Sequence, residues 1–281
     1  MDKIKKVTAY ISYIKDNDKE FYLSSEIEYD KNNNITSSIS YDTDGSTENK
    51  TFSKYTETGK LVEEINYLAD DELSEKFTFI RDENDKVTEA IVEYGDGSKS
   101  FKKYERNNDD NSLKIIITDD DDMIEGKEFY KFDSNDKIIE KIVYNDEGKI
   151  EQNSKYEYDD KSRVINHKEY FGKDELLSET LYYYDENDNL VKQLTVNKKR
   201  ELTQSIIITY DENGNMIEQK IGHQYVIKYQ YNENNKLIKE EKYYSNGLLE
   251  EQTEYEYDEN NMLILENNFV TKTKYEYEFF E

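Results

Sequence analysis

The 281 residues carry 65 acidic against 38 basic side chains, a formal net charge of −27, with 27 Tyr, 11 Phe and neither Cys nor Pro. Without cysteine there is no disulfide framework, no thiolate metal site and no cysteine nucleophile. The two histidines, His167 and His223, lie far apart in sequence, which leaves little imidazole for a zinc site or a His-based relay. The acidic field repels phosphate backbones and anionic lipid, so composition speaks against nucleic-acid and membrane partners and for a cationic one.

So much charge with low mean hydropathy would suggest disorder, but the aromatic residues recur at fixed spacing and can bury large areas. The reading is a folded chain. Its first residues include lysines, as a signal peptide would, yet no apolar run or small-residue cleavage site follows. No stretch has the ~18 consecutive apolar residues of a membrane helix. These features predict a cytoplasmic protein, with export by a route lacking a cleaved signal left open.

In chain order, residues 1–28 are expected to form N-terminal capping strands, residues 29–257 the repeats, and residues 258–281 a C-terminal hairpin, all in one domain. The repeat is an aromatic followed by Asp or Asn, a few turn formers and an aliphatic. It stands as Tyr29-Asp-Lys-Asn-Asn-Asn-Ile35, Phe132-Asp-Ser-Asn-Asp-Lys-Ile138, Tyr158-Asp-Asp-Lys-Ser-Arg-Val164 and Tyr184-Asp-Glu-Asn-Asp-Asn-Leu190. It continues as Tyr210-Asp-Glu-Asn-Gly-Asn-Met216, Tyr231-Asn-Glu-Asn-Asn-Lys-Leu237 and Tyr257-Asp-Glu-Asn-Asn-Met-Leu263. Weaker copies are placed at Tyr55, Phe79 and Tyr104. The anchors at 132, 158, 184 and 210 are 26 residues apart, as are 29 and 55, and 231 and 257.

A second turn falls midway in each unit, at Tyr144-Asn-Asp-Glu-Gly148, Tyr170-Phe-Gly-Lys-Asp174 and Tyr244-Ser-Asn-Gly247. Two turns per unit leave segments of about eight or nine residues, a strand's length. Alternation agrees: Ile150, Tyr156 and Tyr158 share one face, Glu151, Lys155 and Glu157 the other. Absence of Pro suits strands that need every N–H for a ladder. No long helix is expected. The spacing therefore predicts an all-β fold, an array of antiparallel β-hairpin repeats forming one curved or curled sheet of about 20 strands, with Lys272, Lys274 and Glu276 protecting an exposed last strand.

The Tyr-Asp-x-x-Gly/Asn-x-Leu element, clearest at Tyr210–Ile217 and Tyr184–Val191, resembles the YD repeats of Rhs-type proteins. The Tyr-x-x-Gly-x-Leu-x-Glu turns, as at Tyr243–Glu250, are similar to the repeats of bacterial MORN-like antitoxin and immunity proteins. The resemblance covers about residues 29–280. It implies a curved strip of hairpins of the kind immunity proteins use to grip a toxin, and it carries over no catalytic residue.

The repeat loses its period twice. Tyr104 to Phe132 spans 28 residues and holds Asp119-Asp-Asp-Asp122, and Tyr210 to Tyr231 spans 21 and holds Gly222-His-Gln-Tyr225. A regular scaffold that varies where it recognises something would place partner contacts at Asp119, Asp120, Asp121, Asp122, Glu125, His223 and Tyr225. The aspartates with Glu125 also suit a hard cation, but calcium loops interleave ligands with spacers and a Gly. A solvated acidic loop is the simpler reading, and no metal is assigned. The tyrosine ladder could stack sugars or bases, although a packed sheet face is the commoner fate of such a series.

No Gly-rich phosphate loop or paired-carboxylate cleft can be singled out. The reading is a non-enzymatic, cofactor-free binding protein. The expected function is that of an immunity protein or antitoxin that neutralises a cationic protein toxin by direct binding. The alternative is a surface or secreted structural repeat that binds a cell-wall or host ligand.

Overall fold

A computed structural model describes residues 3–14 and 20–281; residues 1–2 and 15–19 of the expected cap lie outside the described residues. The chain opens with β1 (Ile4–Tyr13), β2 (Tyr22–Tyr29), β3 (Ile35–Tyr41), β4 (Thr47–Tyr55), β5 (Leu61–Tyr67) and β6 (Leu73–Arg81). It continues with β7 (Val87–Tyr94), β8 (Lys99–Asn107), β9 (Ser112–Asp119), β10 (Ile124–Phe132), β11 (Ile138–Asn145) and β12 (Ile150–Tyr158). Then come β13 (Val164–Phe171), β14 (Glu175–Tyr184), β15 (Leu190–Asn197), β16 (Leu202–Tyr210) and β17 (Met216–Ile221). The last are β18 (Tyr225–Tyr231), β19 (Leu237–Tyr244), β20 (Leu249–Tyr257), β21 (Leu263–Asn268) and β22 (Thr271–Phe279). A single 3-10 turn, Ala69–Asp71, sits between β5 and β6.

Consecutive strands pair antiparallel, and the 22 strands belong to one sheet. The array of hairpins is as the spacing predicts, but the open curved strip is not. Strand β1 pairs with β2 on one side and with β22 on the other, Ala9 lying opposite both Ser25 and Tyr275. The ladder therefore closes with the topology of a 22-stranded barrel. Lys272, Lys274 and Glu276 do not guard a free edge; they face Ser12, Tyr10 and Thr8. The physical reason is that an edge strand leaves a row of N–H and C=O groups unpaired, and pairing first with last satisfies both rows at once.

Contacts divide the chain into two compact units, Met1–Phe101 with Glu251–Glu281, and Lys102–Glu250. In the first, the buried apolar residues Ala9, Ala90 and Val92 lie on the face that carries Tyr275, Phe79 and Phe77, their cross-strand partners. The opposite face is laced with charge: Lys6 pairs with Glu26, and Glu63 takes Lys54 and Lys76 at 2.7 and 2.9 Å. The second unit repeats the scheme. Buried Ile115 lies opposite Glu128, on the face that carries Tyr130, while Lys168 reaches Glu157 at 2.9 Å on the other face.

Candidate binding surfaces

Because the strands alternate in direction, the turns fall into two sets at opposite strand ends. Turns that follow even-numbered strands carry the Tyr-Asp motif. At Asp159 the backbone N–H of Ser162 donates to its carbonyl at 3.0 Å, and its own N–H donates to the Arg163 carbonyl at 3.0 Å. Its Oδ1 accepts from the N–H of Lys161 and of Arg163, at 3.0 and 2.9 Å. The third residue on, Ser162, is left-handed at φ 63°, and the ladder slips by one residue at Tyr158. This is a type I turn closed by a left-handed residue and a bulge, which explains why Asp or Asn opens it and Gly, Asn or Asp ends it.

The tyrosine before the Asp has its own task. Its hydroxyl donates to the carbonyl of the first residue of the preceding strand: Tyr158 to Ile138 at 2.7 Å, Tyr184 to Val164 at 2.8 Å, Tyr210 to Leu190 at 2.9 Å. Tyr55, Tyr231 and Tyr277 do the same to Ile35, Met216 and Leu263. Burial raises the phenol pKa of Tyr158, Tyr184, Tyr210 and Tyr231. These rings lie on the face of the sheet as a packed series, with hydroxyls turned back onto the backbone.

Two of the weaker copies sit elsewhere than the sequence suggests. The residue before the turn is Arg81 in β6 and Arg106 in β8, and Phe79 and Tyr104 lie two residues earlier. Aromatic-x-aromatic spacing hid this, because the inner aromatic of each pair survives in copies that have lost the outer one.

The proposed contact residues lie on two hairpins. Asp119 opens the β9–β10 turn, where its Oδ1 accepts from the N–H of Asp121 at 3.0 Å and of Met123 at 2.8 Å, and Asp122 supplies the left-handed position at φ 61°. Asp120 and Asp121 are exposed between them, and Glu125 is exposed on β10. His223 is exposed in the β17–β18 turn. Tyr225 opens β18, its ring 5.5 Å from that of Tyr244 and its face 4.5 Å from the Lys242 ammonium. The two stretches share one strand end and are separated by the six strands β11–β16. Each loss of period has a local cause. The turn after β8 is one residue longer, its left-handed residue being Asn111, and β17 and β18 are short, with 6 and 7 residues.

A polar cluster on β13–β14 carries no signal in the repeat. Glu179, 5% exposed, accepts from Asn166 Nδ2 at 3.0 Å, pairs with Arg200, and has Lys168 at 3.6 Å. Beside it on β12, Asn153 donates to the carbonyls of Gly172 and Lys173, at 3.2 and 2.9 Å. On the aromatic face, the His167 ring stacks on Tyr156 at 4.5 Å and 2°. Among the described residues no group of three or more His, Asp or Glu side chains is arranged to hold a metal ion.

No family model matches the chain, and no curated protein matches it. Among solved structures it is similar to the Tc holotoxin pore of Photorhabdus luminescens, at 11% identity and a TM-score of 0.36 over 95% of this chain. It spans 18% of that chain, about a fifth of its length. It is also similar to TcdB2–TccC3 bound to Cdc42 (13% identity, TM-score 0.31, 88% of this chain and 15% of that one). A porin-like protein from Bacteroides uniformis matches at 9% identity and a TM-score of 0.35, over 98% of both chains. The YD and MORN-like resemblance therefore rests on the turn motif itself.

Proposed function

We propose that the protein is a cytoplasmic inhibitor of the immunity or antitoxin type, which neutralises a cationic protein by direct binding. The observation that carries this reading is the way charge is distributed. The chain has 27 more acidic than basic side chains. Many of the basic ones are folded back onto carboxylates of the sheet, as Lys6 is on Glu26, Lys76 on Glu63, Arg163 on Asp159 and Arg200 on Glu179. What projects from the turns is predominantly acidic, Asp119–Asp122 being the densest case. Such a field raises the association rate of a basic partner and discriminates against acidic ones.

The strands also suit water rather than lipid. A membrane-spanning strand alternates an apolar outward face with a polar inward one. Here β5 carries Glu63 and Glu64 in succession, and β19 carries Lys239, Glu240, Glu241 and Lys242, so both faces of these strands bear charge at mid-length.

The test is a tagged pull-down from host lysate with washes from low to high salt, followed by expression of each retained protein with and without this chain. The expected result is one stoichiometric, salt-resistant basic partner that is toxic alone and harmless together with this protein. A set of basic proteins that washes off in moderate salt would sink the reading. Protein found only outside intact cells would shift the assignment to a surface or secreted ligand-binding repeat.

A further inference from the structure

The two ends of the strands differ in a way the proposed function does not require. In the second unit, the end carrying the Tyr-Asp turns is sealed by tyrosine hydroxyls and Asx turns, and its exposed large hydrophobics, Ile165, Tyr183 and Ile217, are at most 43% exposed. At the opposite end Met123, Phe171, Leu177, Leu202 and Leu248 leave 47–66% of their surface in water. They stand on four hairpins: β9–β10, β13–β14, β15–β16 and β19–β20. Strands about 4.8 Å apart put neighbouring hairpins roughly 10 Å from each other, so this is one row along a rim. Single exposed apolar residues need no explanation, but a row of them, rimmed by polar residues and confined to one end, marks an interaction surface.

Local conformation does not require these side chains. Met123 and Leu248 follow the left-handed residue of their turns, a place that Ser46, Ser98 and Lys149 fill with polar side chains in the same set. Phe171 precedes the left-handed Gly172, whose neighbourhood is open. The apolar choice is therefore an addition to the turn chemistry.

The charge around the row selects the occupant. Asp119–Asp122 directly precede Met123, and Asp174 and Glu175 separate Phe171 from Leu177. The one basic turn, Lys198-Lys-Arg200, is drawn onto the sheet by Lys198–Glu175 at 2.8 Å and by Arg200–Glu179. Anionic lipid would be repelled by the aspartates, and a second copy would bring acidic turns against acidic turns. The geometry points to this rim as the docking surface for a basic protein segment whose apolar side chains are flanked by lysine or arginine. Resting on the reading proposed above, it assigns that partner its place: the apolar row supplies the anchors, and Asp119–Asp122 steer the approach.

The probe is a short amphipathic leucine–lysine peptide, with a serine–lysine peptide of equal length and charge as its counterpart. Binding is followed by fluorescence anisotropy and located by photo-crosslinking. The leucine peptide is expected to bind and to crosslink at the β9–β10, β13–β14, β15–β16 and β19–β20 turns, and the serine peptide to bind at least about tenfold more weakly. Combined Phe171→Ser, Leu202→Ser and Leu248→Ser should reduce leucine-peptide affinity about tenfold or more, and Leu248→Lys alone several-fold. Combined Ile165→Ser, Tyr183→Ser and Ile217→Ser at the other end should change it less than about twofold. Equal binding of both peptides, crosslinks at the other end, or binding unmoved by Leu248→Lys would overturn the assignment. So would self-association, or adhesion to phosphatidylglycerol vesicles, that the rim substitutions abolish. A lysate that yields no toxic partner while the peptide still docks would defeat the antitoxin reading and leave the rim standing.

Discussion

Arg81 donates from Nη2 to the carbonyl oxygen of Leu61 at 2.9 Å, the contact that a tyrosine hydroxyl makes in the neighbouring repeats. Its Nη1 also reaches the carbonyl of Asp85 at 3.0 Å, in the turn that follows. A cationic fork and a phenol thus solve the same problem, a strand-end carbonyl in need of a donor. Arg81→Tyr should therefore fold with little loss, whereas Arg81→Ala should cost about 1–2 kcal/mol by removing both bonds. Tyr184→Phe, which loses only the bond to Val164, should cost about 1 kcal/mol. Urea midpoints of the three variants decide it, and an Arg81→Ala midpoint equal to wild type would refute the equivalence.

The left-handed turn position makes opposite predictions at two sites. Gly214 sits at φ 82° with open space where a Cβ would go, so Gly214→Ala pays only backbone strain, about 1 kcal/mol. Ser162 holds the same position at φ 63°, and Ser162→Gly should stabilise by a few tenths to about 1 kcal/mol. Thermal melts that move in the same direction for both substitutions would contradict the turn assignment.

Glu179 is a buried carboxylate held by Asn166, Lys168 and Arg200. Truncating Arg200, itself largely exposed, removes its shortest contact but leaves Lys168 and Asn166, so Arg200→Ala should cost about 1 kcal/mol. Glu179→Ala should cost more, about 2–3 kcal/mol, because it strands Asn166 and removes the centre of the cluster. The double variant should be close to Glu179→Ala alone, a non-additivity that a double-mutant cycle measures directly.

Alkaline pH should unfold the protein through its tyrosines. Burial, with the Glu26 carboxylate as the hydrogen-bond acceptor, pushes Tyr41 up to about 12, and burial beside Glu266 pushes Tyr275 to about 12. An unfolded tyrosine ionises near 10. The folded chain holds these protons more tightly, so their contribution is complete below about pH 10 and is lost as pH rises towards 12. At the acid end, Glu26 is held below the usual carboxylate range by Lys6 and Tyr41, and Asp159 by Arg163. Their contribution is present above about pH 4.5 and falls as pH drops below it. Tyrosinate absorbance should rise in two phases, the second coincident with loss of far-UV dichroism. A single smooth phase near pH 10 with the fold intact would rule this out.

The proposed contact residues predict a kinetic signature. Asp120→Asn with Asp121→Asn leaves the capping Asp119 and the left-handed Asp122 in place, so the turn should survive. Association with the basic partner should slow several-fold at low salt and hardly at all at high salt. Tyr225→Ala should instead speed dissociation. Stopped-flow rates over a salt series separate the two, and association rates that ignore Asp120 and Asp121 would remove this stretch from the site.

Most of the hairpin array is legible in the sequence because its determinants are local. Asp at 159, 185 and 211, followed three residues later by Ser162, Asp188 and Gly214, dictates a turn without reference to anything distant. The Arg81 and Arg106 copies were misread because Phe79 and Tyr104 preserve the inner aromatic. The Glu179 cluster was not legible at all. Asn166, Lys168, Glu179 and Arg200 come from three strands and the turn before β16, and nothing in a single repeat marks a lysine that will meet a glutamate one strand away.

The sequence by itself determined the strands, their alternating faces and the chemistry of every Tyr-Asp turn, since each is settled within a few residues by φ preference and short-range hydrogen bonding. Two things were left to the tertiary structure. One is closure, where Ala9 meets Tyr275 across 266 residues and the predicted free edge disappears. The other is the gathering of Met123, Phe171, Leu202 and Leu248 at one strand end. Both depend on strands lying side by side in order, and only pairing brings together residues that the chain keeps tens or hundreds of positions apart.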